Sequence, residues 1–489
     1  MTFSRRNIIG LSAILLALTR AAHGADAASS ITAVVPVPTS SRAIVEVSTF
    51  TSTPVPGTVV LTLPQCIQTA INQATTVLKA RNNVDVTGTQ LLQAYMQFLP
   101  NLEAAASYTY QTGRTYYTQA QPTFVATTNR EGLYQLTSTL NIFNGLSDLS
   151  GFHSSSARKQ AANLSLYRAK QQIAFDVTQA YLQVFLDHEI VGIDESNLQA
   201  SRERERLIDT QTQVGSRSLA DLYRQQAETS ADELALISAR ARERDDLLLL
   251  LQRLRVDLLT PYAIAEVTLA TPPTVYPYGD EGALVRQALK QRADLEAQEQ
   301  LAKAARWDVT TARSGYFPQL NLVGGLTGIG TILDRQIVDG VNDVPASQPS
   351  MGYQLGSQVL YDVGVNLNWG LFDRYLTRLT VARAQETASD TAIDSEDRRL
   401  QVEGDVEQAL NDYQAAVQQV TSAEKGLKAA QESYDAVAER YKVGASSIVD
   451  LLTAQSALVL AQAAEAQAHV AFTLEERAID LATGTLTER

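Results

Sequence analysis

The chain has 489 residues, long enough for a large repetitive fold, and a formal net charge of −13 at pH 7. This acidic balance argues against nucleic acid as a partner, because phosphates require a basic surface. Cys66 is the only cysteine, so the sequence provides for no intrachain disulfide.

The N-terminal segment has the pattern of an export signal. A basic pair precedes the apolar run 8–18, and Ala22-His23-Gly24 offers small residues at both positions that a signal peptidase inspects. We predict a signal peptide over 1–25, of the Sec type rather than the twin-arginine type. Residues 26–60 are rich in Ser, Thr, Val and Pro without helical periodicity, and we expect them to form an extended lead-in.

The remaining sequence contains an internal repeat. The run Asp176-Val177-Thr178-Gln179-Ala180 recurs at a shift of 229 residues as Asp405-Val406-Glu407-Gln408-Ala409. At the same shift, Val214-Gly215 returns as Val443-Gly444. Self-similarity at one fixed shift indicates a duplicated structural unit. We predict a first repeat over 61–260, a Pro-rich linker over 261–280 and a second repeat over 281–489.

Each repeat is predicted to contain a long helical hairpin. No proline occurs from 146 to 214, and the composition there favours one helix of about 70 residues, roughly 100 Å long. Val214-Gly215 interrupts this helix, which resumes near 218 and runs to about 258. The second hairpin turns at Val443-Gly444 and ends near 481–484. Apolar stripes beside charged runs indicate a coiled-coil-like wall with one wet face.

Four segments alternate apolar and polar residues with a period of two. They lie at 102–111, 134–142, 320–330 and 361–369, with polar loops predicted near 112–130 and 331–354. No run after the signal approaches the roughly 20 apolar residues of a membrane-spanning helix, so a bilayer crossing must use β-strands. Four strands cannot close a barrel, whose practical minimum is about eight. Several chains must therefore contribute to one barrel.

Short motifs occur in a recognisable order along the chain. They are Leu-Pro-Asn-Leu at 99–102, Phe-Pro-Gln-Leu at 317–320, the Val-Gly-x-x-Ser-x-x-Asp turns at 214–221 and 443–450, and Leu-Ala-Thr-Gly-Thr-Leu at 481–486. Over about 61–486 the sequence resembles the TolC-like outer-membrane efflux family. The resemblance implies an α+β membrane protein in which three chains form a twelve-stranded outer-membrane β-barrel, four strands from each. That barrel continues into a long periplasmic α-helical coiled-coil barrel.

The resemblance also implies a function, a location and partners. It implies a passive exit channel in the outer membrane of a Gram-negative bacterium, reaching into the periplasm and carrying small molecules as part of a tripartite efflux pump. The implied partners are two further copies of the chain, outer-membrane lipid, a periplasmic adaptor (membrane fusion) protein and an inner-membrane transporter of the RND, MFS or ABC type. Two alternatives stay open: the exit duct of a type I protein-secretion system, and a non-conducting secreted coiled-coil scaffold. The scaffold does not account for the four amphipathic strands.

No catalytic motif accompanies these features. The sequence has no phosphate-cradling glycine loop, nucleophile elbow or carboxylate pair with a supporting base. His153, His188 and His469 stand alone on the predicted helices without metal-ligand spacing. We therefore predict no enzymatic activity, no cofactor and no resident metal.

The duplicated turn motif supplies the candidate site residues. The resemblance places Gly215 and Gly444, followed by Ser218 and Ser447, in the turns at the periplasmic tip. It places Asp450 in a ring of carboxylates at the channel constriction, which polyvalent cations can block.

Further positions around the turns match or depart from the family pattern. Tyr441 and Asp221 match positions whose hydrogen bonds and ion pairs help to hold the tip closed. Thr453 stands where a second acidic ring is expected, and Ser446 stands where a gate arginine is expected.

A structural interpretation competes with the gate. Ser218-x-x-Asp221 and Ser447-x-x-Asp450 both have the pattern of a capping box after a turn glycine. Capping is the favoured interpretation for Asp221, whereas capping and gating have equal weight for Asp450.

Overall fold

The computed structural model describes residues 59–117, 123–273, 277–338, 341–342 and 347–486. The predicted signal peptide and residues 26–58 of the predicted lead-in lie outside these ranges. In chain order the elements are β1 (Val59–Leu61), α1 (Leu63–Gln73), α2 (Thr75–Met96), β2 (Glu103–Tyr117), β3 (Thr123–Phe143), α3 (Ser147–Gln213), α4 (Leu219–Leu254), β4 (Tyr262–Ile264), α5 (Glu281–Gln291), α6 (Ala293–Arg313), β5 (Gln319–Val338), β6 (Val341–Asn342), α7 (Met351–Ser357), β7 (Val359–Asn368), α8 (Leu376–Lys442) and α9 (Ile448–Thr483).

Two long helical hairpins dominate the fold. The outgoing helices α3 and α8 each have 67 residues, and the returning helices α4 and α9 each have 36. The shift of 229 residues that relates the sequence motifs also relates the bounds of these helices. At 1.5 Å per residue, α3 and α8 are about 100 Å long, as predicted from the proline-free segments.

The four predicted strands are confirmed as β2, β3, β5 and β7. They form an antiparallel sheet in the order β2-β3-β5-β7, and the short β6 also pairs with β5. The register between β3 and β5 shifts at two places, between Thr128 and Asn129 and between Asn141 and Phe143. Irregularities of this kind bend and twist a sheet locally.

The prediction of polar loops over 112–130 and 331–354 is wrong in extent. β2, β3 and β5 continue through much of both segments, because polar side chains there pair across the strands. The hydroxyl oxygens of Thr112 and Thr128 lie 3.0 Å apart, and Arg130 Nε donates to Asp334 Oδ2 at 2.8 Å. The second segment also contains the start of α7, where Gln354 exchanges hydrogen bonds with the backbone of Thr331.

One strand of a second, two-stranded sheet lies inside the segment 261–280. There β4 pairs parallel with β1. The Tyr181 hydroxyl oxygen on α3 lies 2.9 Å from the Leu61 carbonyl oxygen and 2.8 Å from that of Ala265, and it accepts a bond from the Ala265 amide. The start of the segment predicted as a linker is thus fixed to the first hairpin.

The core beneath this small sheet combines distant parts of the chain. Cys66 of α1, Tyr181 of α3, Leu250 of α4 and Leu486 are buried in one cluster. The Gln171 side chain donates to the carbonyl oxygens of Gly484 and Leu486 at 3.0 and 3.1 Å. Residues from both repeats therefore complete the same core.

One described helix, α9, is long and apolar enough to cross a membrane by length and composition. The sequence analysis did not expect this, because it searched for unbroken apolar runs, whereas α9 reaches its hydropathy through many alanines and few charges. Alanine-rich core helices of soluble assemblies meet the same criterion, and α9 packs along α8 as the returning arm of a hairpin.

Candidate functional site at the hairpin turns

Both hairpin turns have the same backbone geometry. After α3 and α8 the chain passes through Val214 and Val443 and then reverses at Gly215 and Gly444, with φ of +77° and +76°. Backbone amides just past each glycine bond to carbonyls of the last helical turn, as in a Schellman ending. Each turn therefore uses glycine for its positive φ, since a Cβ at either position would meet open space.

A complete capping box begins α9. The Ser447 hydroxyl accepts from the Asp450 amide at 3.2 Å, and Asp450 Oδ2 accepts from the Ser447 amide at 3.0 Å. Asp450 Oδ2 also accepts from the hydroxyls of Ser447 and Ser446, at 2.8 and 3.1 Å. The Ser447 hydroxyl, followed by the Ser447 amide and the Ser446 hydroxyl, lowers the pKa of Asp450 below its usual 3.8. Asp450 is exposed, and it is ionised at neutral pH.

Only half of the box is formed at the start of α4. The Ser218 hydroxyl accepts from the Asp221 amide at 3.1 Å, but among the described contacts the Asp221 carboxylate makes no return bond to Ser218. Asp221 is half-buried and acts electrostatically on Tyr441. Capping by the carboxylate was the favoured interpretation for Asp221, but the structure shows it at Asp450, where capping and gating had equal weight.

Tyr441 lies at the junction of the two hairpins. It is 8% exposed and packs with Ile208, Leu222, Ile448 and Leu451, so all four long helices meet around it. Burial raises the pKa of its hydroxyl; Arg217 opposes this shift and Asp221 adds to it. The Tyr441 hydroxyl is buried without a hydrogen-bond partner in the described part of the chain.

Arg217 is a site residue that the sequence analysis missed. Its guanidinium carbon lies 4.4 Å from the centre of the Tyr441 ring, and Nη2 donates to the Tyr441 carbonyl oxygen at 3.4 Å. Arg217 is the counterpart of Ser446 at the shift of 229 residues. The arginine expected in the second turn is thus present in the first, and a comparison of the two repeats would have found it.

The remaining predicted features have ordinary surroundings. The Thr453 hydroxyl donates to the Val449 carbonyl oxygen, a bond within its own helix. Across the described ranges, no group of three or more His, Cys, Asp or Glu side chains could hold a metal ion.

These features together define a class of protein. An amphipathic antiparallel sheet joined to two helical hairpins about 100 Å long, with matched turns, suits a subunit of an outer-membrane channel. Residues 284–485 match the outer membrane efflux protein family. The solved Campylobacter jejuni CmeC outer membrane channel superposes with a TM-score of 0.73, covering 86% of this chain and 85% of that one at 17% identity.

Three named relatives align with more than half of the sequence. The outer membrane efflux protein BepC of Brucella suis is 23% identical over 72% of this chain and 74% of its own length. Escherichia coli outer membrane protein TolC is 23% identical over 84% and 80%. The pyoverdine export outer membrane protein OpmQ of Pseudomonas aeruginosa is 26% identical over 60% and 57%.

These findings confirm the resemblance predicted from the motifs. The chain is similar to TolC-like outer-membrane efflux proteins, by the family match over residues 284–485 and by 23% identity to BepC and TolC over 72% and 84% of its length. Its relatives are channels and efflux proteins, which supports a role in transport without catalysis.

Proposed function

We propose that this protein is the passive exit channel of a tripartite efflux pump and that three copies of the chain form it. The observation that carries the proposal is a pair of free sheet edges. In the described sheet β2 pairs only with β3, and of the long strands β7 pairs only with β5. Free edges in lipid would leave backbone groups without hydrogen bonds, so β7 of one copy must pair with β2 of the next.

The helices support the same closure. α2 packs on α3, α3 on α6 and α6 on α8, which repeats the order of the strands above them. The row leaves α2 and α8 at its ends, below the free edges of β2 and β7. Four strands are too few for a barrel, and the resemblance implies twelve, so in this proposal three chains close the sheet and the helical wall together.

Exposed apolar side chains mark the surfaces that closure and lipid would cover. On β7 and just after it, alternate residues are 57% to 82% exposed in the single chain. They are Tyr361, Val363, Val365, Leu367 and Trp369. The intervening side chains include Asp362, Asn366 and Asn368. This alternation suits a strand with lipid on one face and a water-filled lumen on the other.

The hairpin turns are the proposed gate. Closure of the ring brings three α8–α9 turns around one axis and with them three ionised Asp450 carboxylates. A ring of this kind favours cations and can bind a blocking polyvalent cation. Arg217 and Asp221 flank Tyr441 where the two hairpins pack, so separating the hairpins must disrupt their contacts.

A passive duct supplies no energy of its own, so the proposal includes partner proteins that drive export. A periplasmic adaptor would dock on the helical wall, and an inner-membrane transporter of the RND, MFS or ABC type would drive export. The name of the relative OpmQ, which specifies pyoverdine export, supports a small-molecule cargo rather than a secreted protein.

Single-channel recording tests the channel and its constriction. We would insert the purified mature protein into a planar lipid bilayer and record current before and after adding a trivalent cation on the side of the turns. We expect discrete conductance steps that the cation blocks. Asp450→Ala should weaken the block at least tenfold, because it removes all three carboxylates from the ring.

Asp435→Ala is the matched control, since Asp435 is exposed on α8 a few turns before the tip. It should leave the block unchanged. Inserted protein that conducts nothing, even after Tyr441→Ala loosens the turns, would contradict the channel. An equal loss of cation block in Asp450→Ala and Asp435→Ala would contradict the placement of Asp450 at the constriction.

A further inference from the structure

The first hairpin contains a buried carboxylate that the proposed channel does not use. Asp187 lies in the middle of α3 and is 6% exposed. Its Oδ1 accepts from the Gln183 side chain at 3.3 Å, whereas its Oδ2 is buried without a partner in the described structure. An ionised carboxylate oxygen in this position would carry a large desolvation cost.

The facing helix increases that cost. Asp246 of α4 lies within hydrogen-bonding reach of Asp187, and Arg242 of the same helix attracts the carboxylate more weakly. The adjacent residue Leu186 packs in an apolar cluster with Val470 of α9 and Val267 from the segment after β4. His188, next to Asp187, pairs at 2.7 Å with Glu243, which is next to Arg242. Arg242 alone cannot neutralise both carboxylates if both are ionised.

We propose that Asp187 and Asp246 form a proton-binding site that holds one proton between the two carboxyl groups. With the proton on Asp187 Oδ2, the new O–H donates to the Asp246 carboxylate. This single bond gives the buried oxygen a partner and removes one of the two facing charges. The bond requires no residue from another chain, so the site is independent of the channel assembly.

The second hairpin also places two carboxyl groups opposite each other, one helical turn from the position equivalent to Asp187. The shift of 229 residues takes Asp246 to Glu475 and Gln183 to Asp412. Burial, and then the charge of Asp412, raises the pKa of Glu475. The counterpart of Asp187 itself is Ala416. Both hairpins therefore face one carboxyl group against another at this level, although different positions on the outgoing helix supply it.

The direction of the pH dependence follows from the folded state. Burial, then hydrogen bonding and charge repulsion from Asp246, raises the pKa of Asp187 from its usual 3.8 to about 7. A carboxyl group with a raised pKa binds its proton more tightly in the folded protein than in the unfolded chain. Protonated Asp187 therefore stabilises the folded hairpin fully below about pH 4. This stabilisation falls as the pH rises from about 4 through 7, and it is absent at higher pH.

The test measures proton binding directly and needs no transport. We would record infrared spectra in detergent from pH 5 to 9 of the full-length wild-type protein and of two single variants, Asp187→Asn and Asp245→Asn. The wild type should show a protonated carboxylic-acid band that disappears with a midpoint near pH 7. Asp187→Asn should lose this component, because its amide replaces the O–H donor. Asp245→Asn changes an exposed neighbour of Asp246 and should retain it.

Thermal unfolding over the same range provides the second readout. The melting temperature of the wild type and of Asp245→Asn should fall as pH rises through 7, while that of Asp187→Asn should fall less, because only Glu475 still titrates, and should exceed the wild type at pH 9. If Asp187→Asn does not fold, Asp246→Asn replaces it, and the band should then disappear at a lower pH, because burial still acts on Asp187 but the facing charge is gone. A band and a melting profile that neither substitution changes would overturn the proposal.

Discussion

At the scale of single residues, the structure separates two aspartates that occupy equivalent positions of the repeat. Asp450 bonds to both polar groups of Ser447 and is exposed at its turn. Asp221 lacks the return bond and faces the buried Tyr441. Capping and gating are compatible at Asp450, because the hydrogen bonds that its carboxylate accepts in the cap all use Oδ2. Asp450 can therefore serve in both roles that the sequence pattern offers, capping and gating.

Arg292 is the residue whose loss should destabilise the fold most clearly. Its side chain is 2% exposed, donates to both oxygens of Asp294 at 3.0 and 2.6 Å, and donates to Asp405 at 2.6 Å. Arg292→Met would leave the half-buried Asp294 without its main partner, at a cost of about 3 kcal/mol. We expect a clear fall in the thermal unfolding midpoint.

Arg286→Met is the control for that experiment. Arg286 pairs with Asp280, and both side chains are 66% exposed, so its loss should cost at most ~1 kcal/mol. Equal midpoints for the two variants would show that the Arg292 network contributes nothing beyond a surface pair.

At the scale of elements, the hairpins were the most predictable part of the fold. Their helices lack proline, and the duplicated Val-Gly pair fixes both turns. The ends of the strands were less predictable, because the Arg130–Asp334 pair joins residues from different repeats and leaves no local signal. The Asp187–Asp246 pair could not be found either, since sequence alone does not reveal which faces of α3 and α4 meet. Tertiary packing decides each of these features.

The turn glycine Gly444 provides a test at this scale. Its φ of +76° is a left-handed conformation, and a Cβ there would meet no atom within 4 Å. Gly444→Ala should therefore destabilise the α8–α9 turn by about 1 kcal/mol through backbone strain alone. Amide hydrogen exchange across 441–451 should become faster by roughly fivefold.

Gly426→Ala is the opposite case on the same helix. Gly426 lies inside α8 with open space around it and no positive φ. Alanine there should stabilise α8 by about 0.5 to 1 kcal/mol. Slower exchange at the turn in Gly444→Ala, or faster exchange throughout α8 in Gly426→Ala, would contradict the account of these glycines.

At the scale of the whole molecule, the sheet is taller than a membrane crossing requires. About 9 to 11 residues per tilted strand are sufficient, whereas β3 and β5 have 21 and 20. The excess length carries the Thr112–Thr128 and Arg130–Asp334 contacts and the packing of α7. We infer that the sheet extends beyond the lipid as a polar collar.

The two faces of β7 predict opposite responses to charge. Val363 belongs to its apolar face and is 82% exposed in the single chain. Val363→Arg should cost up to about 2 to 4 kcal/mol per chain where that face meets lipid, and three copies multiply the effect. The proposed trimer of the wild type should resist heating and remain visible on a semi-native gel. We expect Val363→Arg to abolish this trimer band.

Asn366→Arg places the same charge on the polar face of the same strand. It should leave the trimer intact, because that face borders the proposed lumen. A trimer that tolerates both substitutions, or neither, would contradict the assignment of lipid and water to the two faces.

The core shared by the two ends of the described chain constrains how the protein is made. Cys66 and Leu486 are buried in one cluster, and Gln171 holds the backbone at Gly484 and Leu486. Contacts this distant in sequence cannot form while the polypeptide is still emerging residue by residue. The first hairpin must therefore cross the inner membrane and wait, incompletely packed, until the last turn of α9 arrives. During that interval its unpaired strand edges need protection, so maturation of this protein should depend on periplasmic chaperones.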